Sequence, residues 1–134
     1  MSTVSQIKWI FVNCRRLEGE VMNFKLHYAD RTDDASPELL EVIRWDCRAV
    51  SFATLLLQLV TVQEALTVRL HLIDGLEWVC ITHEFQQRWG EDCYKAERTL
   101  KSYNQRALKK MAEFTDRCRR YYDFSWIDGV ESTQ

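Results

Sequence analysis

The most regular alternation of apolar and polar positions lies in the last third of the chain. Phe85, Trp89, Cys93, Ala96, Leu100, Tyr103, Ala107, Met111, Phe114, Cys118 and Tyr121 follow one another at intervals of three and four residues. That is the period of an α-helix with one apolar face. It predicts one long amphipathic helix over about 85–122, with Gly90 as the place where it could kink or break and Glu91 and Asp92 as a fresh acidic N-terminus. A helix of about 30 residues is ~45 Å long, against a radius of gyration of ~14 Å for a domain of this size. Such a helix is expected to overhang its own body or to pack on a second copy.

Shorter apolar runs precede it and read as two hairpins. Residues 7–14 (IKWIFVNC) are rich in β-formers and apolar on both faces, as in a covered strand. In residues 21–28, Met22, Phe24, Leu26 and Tyr28 alternate with Asn23, Lys25 and His27, as in a half-buried strand. Residues 66–73 and 76–83 flank Asp74-Gly75, the strongest short hairpin signal. That turn sets Leu66, Val68, Leu70, Leu72, Glu77, Val79, Ile81 and His83 on one face, almost all apolar, so pattern and turn agree. Between the hairpins, Ser36 suits a helix N-cap, Pro37 the first helical position and Glu38 the first turn. Leu39, Leu40, Ile43 and Cys47 continue at helical spacing; the 37–62 region is one helix or two. The predicted fold is α+β in the order ββα-ββα: an antiparallel sheet of about four strands with helices, ending in one long amphipathic helix. The whole reads as one domain over 1–134, with a flexible tail from about 128.

Composition changes this picture little, but it narrows the setting. The 134 residues hold four glycines and one proline, which argues for long regular elements and against disorder. The most apolar stretch, 49–62, is interrupted by Ser51, Thr54, Gln58 and Thr61 and is too short to span a bilayer. The opening residues lack the pattern of a secretory signal. Five cysteines at wide spacings form no CxxC pair and sit among apolar residues, which fits neither a disulfide framework nor a zinc site. A reducing, cytoplasmic setting is the expectation.

Charge is uneven. Residues 86–122 hold ten basic and five acidic residues, whereas 1–85 hold eight basic and twelve acidic. The basic side chains Lys109, Lys110, Arg117, Arg119 and Arg120 near the end of the long helix could meet phosphates or an acidic partner, or could simply complement the helix dipole from a solvated face. Aromatic residues concentrate in the same third, and Trp89, Tyr94, Tyr122 and Trp126 are the anchors expected of a protein interface.

Candidate chemistry is thin. His71 and Cys80 share a face of the second hairpin as diagonal neighbours, which offers a weak nucleophile-base pairing; a half-buried histidine beside Trp78 is the plainer expectation. Asp30, Asp33, Asp34 and Glu38 lack the spacing and central glycine of a calcium loop. No phosphate-binding glycine loop, zincin or nucleophile-elbow motif occurs. Catalytic, metal and cofactor sites are therefore not expected. The reading is a non-enzymatic protein-binding module, such as a small inhibitor, immunity or adaptor protein of a phage or mobile element. It would act as a homodimer on another, possibly acidic, protein, with no membrane contact. Nucleic acid bound to the basic helix is the second choice.

Overall fold

A computed structural model describes residues 2–132, and the side chains of all of these but Cys93, Glu131 and Ser132. Among the described residues every regular element is helical and no strand occurs, so the α+β expectation is overturned. The helices are α1 (Thr3–Val12), α2 (Cys14–Tyr28), α3 (Pro37–Leu57), α4 (Val62–Val68), α5 (Trp78–Trp89), α6 (Glu97–Cys118) and the short α7 (Gly129–Ser132). A π-helical turn, Arg69–Ile73, prolongs α4, and 3-10 turns precede α3, α6 and α7.

The first two expected strands are α1 and α2. Ile7, Ile10, Phe11, Cys14 and Leu17 are buried, at spacings of three, one, three and three. Residues 7–14 are apolar at almost every position, so a two-residue period carries little information there. Only extension to Leu17 shows the helical repeat. The alternation over 21–28 is likewise misleading. Val21, Phe24 and Tyr28 face α3, Phe24 stacks on Tyr28 at 4.9 Å, and Met22 and Leu26 point to solvent. Tertiary burial overrides β-propensity, which chiefly measures fit to a packed surface.

The expected second hairpin is a helix-turn-helix. Gly75 does take a positive φ of 69°, as its turn chemistry requires, but helices flank it. The Asp74 N–H donates to the Arg69 carbonyl at 2.9 Å, a five-residue π closure, and Leu76 N–H donates to Leu70 C=O at 2.9 Å. Leu70 and Leu72 are buried within the π turn, and Ile81 and Phe85 are buried one helical turn apart on α5.

The α3 start is as read: the Ser36 hydroxyl accepts from the Leu39 N–H at 3.2 Å, with Pro37 and Glu38 following. The 37–62 region is one helix to Leu57, and α4 then begins with a capping box. The Thr61 hydroxyl accepts from the Glu64 N–H at 3.2 Å, and the Glu64 carboxylate accepts from the Thr61 N–H at 3.0 Å.

The single long helix is two. Gly90, at φ 89°, ends α5, and the chain turns through Glu91–Cys93 before α6 starts. The apolar stripe survives in two pieces that face two clusters. Phe85 and Leu100 close a small cluster with Leu70 and Ile81, while Ala107, Leu108, Met111 and Ala112 enter the main core formed by α1, α3 and α4. At 22 residues, α6 is ~33 Å long and fits the body it packs on. The tail is docked as far as it is described. Ile127 and Val130 are fully buried, and Trp45 Nε1 donates to the Trp126 carbonyl at 2.8 Å. Gly129 lies so close to Trp45 that a Cβ there would sit 2.8 Å from the indole nitrogen. Residues 133 and 134 of the expected flexible tail lie outside the described residues.

Candidate functional site

One face of α6 and one of α1 line a groove of about 500 Å³. Lys101, Gln105 and Lys109 stand four residues apart along α6 and so share a side of the helix, with Asn104 and Leu108 beside them. Val4 and Lys8, also four apart, come from α1. His71 and Trp78 also line it. Their rings stack at 3.9 Å between centroids with 23° between planes. His71 Nδ1 lies 3.2 Å from the Leu76 carbonyl, which can only accept, so Nδ1 is the donor of that bond.

The groove is cationic. Three ammonium groups line it and no carboxylate does. Lys101 is paired with Glu97 at 2.9 Å, one turn earlier, but Lys8 and Lys109 have no ion pair or hydrogen bond among the described residues. Asn104 is 8% exposed, and its Oδ1 has no hydrogen-bond partner. A buried amide oxygen without a donor is costly and calls for a reason.

The anticipated site residues do not converge. Lys109 lines the groove. Arg117 and Arg120 are exposed on the outward side of α6 and just after it. Tyr94 and Tyr122 are exposed before and after that helix. Trp89 ends α5, tilted against Phe85, and lines a separate groove with Arg88 and Arg69. The other three hold the fold together. Lys110 Nζ donates to Glu64 Oε1 at 2.7 Å. Arg119 donates to Gln6 Oε1 at 3.1 Å and lies 3.8 Å from Asp128. Trp126 packs edge-on to Trp45 and Phe52.

Lys8, Lys101 and Asn104 went unnoticed in the sequence. The signal for Lys101 was present, since it lies four residues before Gln105 and eight before Lys109. Lys8 acquires meaning only once residues 3–12 are known to be a helix. His71 is half-buried beside Trp78 as expected, but the hairpin that would have set Cys80 against it does not exist, and Cys80 is exposed.

Two buried carboxyls and a thiol depart from ordinary behaviour. Asp46 is 3% exposed and its pKa is raised to about 7, by burial first and then by the neighbouring Glu20 carboxylate, with Arg16 opposing. Glu64 is 2% exposed. Burial pushes its pKa up, but the Lys110 ammonium and the Thr61 N–H outweigh that and hold it below the usual range. The Cys14 thiol is pushed up to about 11 by burial and by Glu18, whose carboxylate accepts its S–H at 3.5 Å, so it stays protonated and unreactive at neutral pH. Among the described residues no group of three or more His, Cys, Asp and Glu is placed to hold a metal ion, and no helix is long and apolar enough to cross a membrane.

Fold and site together define an all-helical chain with a cationic groove beside a basic helix face. No protein-family model matches it, no curated protein is similar to it, and no solved structure matches it. Its function has to be argued from surface chemistry.

Proposed function

We propose that this chain is a non-enzymatic binding module that docks an acidic surface of another protein onto the outward face of α6. One observation carries the reading. Arg98, Arg106, Lys109, Arg117 and Arg120 are all exposed, and on a helical projection they fall on the side opposite the buried stripe. Of the acids there, Asp116 is engaged by the Thr3 hydroxyl at 2.7 Å and lies 3.7 Å from Arg119, which leaves Glu113 alone among the basic groups. Exposed Tyr94, Tyr121 and Tyr122 stand at the two ends of the row. Tyrosine and arginine carry most of the energy of protein interfaces, and clustered charge speeds the encounter. The free thiols Cys14, Cys47, Cys80 and Cys118 support a cytoplasmic setting. An inhibitor, immunity or adaptor role is the class of activity such a surface serves.

The test is co-purification from the source cell with the wild type and with Arg106→Glu/Arg117→Glu/Arg120→Glu. A protein retained after nuclease treatment by the first and lost by the second is the expected result. Retention that disappears with nuclease alone would overturn the reading in favour of nucleic acid, whose binding weakens steeply with salt.

The homodimer belongs to a different surface than the length of a helix suggested. α2 packs almost wholly on α3, and α2 exposes Met22 at 58% and Leu26 at 73%, four residues apart. Exposed apolar residues that cluster on one element mark association surfaces. A dimer mass by light scattering at about 50 μM, falling to a monomer for Met22→Lys/Leu26→Lys, is expected. A wild-type monomer at that concentration removes the dimer.

A further inference from the structure

We infer that the groove between α1, α6 and the π turn is a binding site for a nucleoside monophosphate, with its phosphate on Lys8, Lys101 and Lys109 and its ring against the Trp78–His71 pair. This site shares Lys109 with the outward row of α6, but Arg106, Arg117 and Arg120, which carry the test of the protein-binding reading, do not line the groove, so the two readings can fail separately.

Three features meet in one space of about 500 Å³, within the usual range for small-molecule sites. The first is charge. Two ammonium groups without a partner among the described residues and a third held by an exposed helix pair line a groove to which no described carboxylate contributes. A phosphate dianion satisfies that set better than a single carboxylate, and lysine serves as a point-charge phosphate binder. The second is shape. Trp78 and His71 stack with each other and, as lining residues, present a flat, rigid aromatic pair to the groove. Every nucleobase has a π-face that stacks on such a pair. The Nδ1 bond to the Leu76 carbonyl fixes the orientation of the imidazole. The third is the unpaired buried amide. Asn104 sits between Lys101 and Lys109 on α6 and lines the groove; its Oδ1 is buried without a hydrogen-bond partner, so a turn of the side chain toward the groove is what would bring it to a donor. An exocyclic amine of a base is such a donor, and asparagine pairs with adenine in this way. The π turn that sets His71 is itself unusual, since single π turns occur often at functional sites.

The wild-type chain is titrated by calorimetry with adenosine 5′-monophosphate, inorganic phosphate and adenosine, in about 50 mM salt where phosphate contacts are strongest. The monophosphate is expected to bind at least about tenfold tighter than either fragment, because each fragment forfeits charge-assisted bonds or stacking. In Lys8→Ala/Lys109→Ala, which removes no internal contact, its affinity falls at least about tenfold, and in Arg120→Ala, outside the groove, it is unchanged. Circular dichroism establishes that both variants fold. Three results overturn the inference: no heat with the monophosphate up to about 5 mM, affinity untouched by the lysine variant, or inorganic phosphate bound as tightly as the monophosphate.

Discussion

Lys110→Met is expected to destabilise the chain by about 2–4 kcal/mol near neutral pH. The methionine keeps the apolar stem of lysine, so little packing is lost. What is lost is the cation paired with a carboxylate that is 2% exposed and sits in the first turn of α4. Breaking such a pair leaves a buried charge uncompensated, and that costs more than the pair itself contributes. Lys110 is 42% exposed, so water screens part of the attraction and the effect stays at the lower end of what a fully buried pair shows. The defect also has a pH signature. In the wild type the folded-state pKa of Glu64 is depressed, so its contribution is present above the usual carboxylate range and is lost as pH falls through the folded value. Without the ammonium, burial dominates and Glu64 takes up a proton on folding. The difference between variant and wild type therefore begins to shrink toward about pH 4 and closes only below the depressed folded value of the wild type, where Glu64 is protonated in both proteins. Urea unfolding at the two pH values reads this. Adding Glu64→Gln recovers most of the loss, since the amide oxygen still accepts from the Thr61 N–H. A loss independent of pH would refute the account.

Asp46→Asn is expected to do the opposite and stabilise the chain at alkaline pH. The folded chain holds the Asp46 proton up to a pKa of about 7, whereas the unfolded chain releases it near 3.8. Between those values the native state binds more protons than the unfolded state, so stability falls as pH rises. The folding equilibrium weakens by up to about tenfold per pH unit, and the decline levels off above the folded value. Asparagine never ionises and can donate to Glu20, so it escapes that decline. At about pH 8 the variant's folding equilibrium exceeds the wild type's on the order of a hundredfold, and at about pH 4 the two are close. Glu20→Gln flattens the wild-type curve by removing the second-largest cause of the shift. Parallel pH profiles for wild type and Asp46→Asn would sink this reading.

Much of the local structure was legible, and the errors have a common cause. The α3 cap, the break at Gly90, the positive φ at Gly75 and the apolar face of α6 depend on neighbours within four residues, so their signals lie in adjacent letters. The strands failed because short apolar runs fit either period, and the arbiter is what lies on the far side. Met22 and Leu26 completed an alternation yet face solvent, while Val21 and Phe24 met α3, more than ten residues away in sequence. Asp74-Gly75 reverses the chain in either fold; whether helices or strands enter the turn is decided by Leu70, Ile81, Phe85 and Leu100 closing one cluster.

The candidate site divides in the same way. The basic, aromatic character of the last third is a property of the sequence by itself, and so is the helix that displays it. Which of those charges are free is not. Lys109 and Lys110 are adjacent residues, but a rotation of 100° along α6 puts the first beside the groove and the second on Glu64, 46 residues earlier. Sequence determines where a helix turns its apolar face, because that follows from its own period. Only the packed structure decides which polar side chains are used up against distant elements, because a buried carboxylate takes whichever cation the fold brings to it.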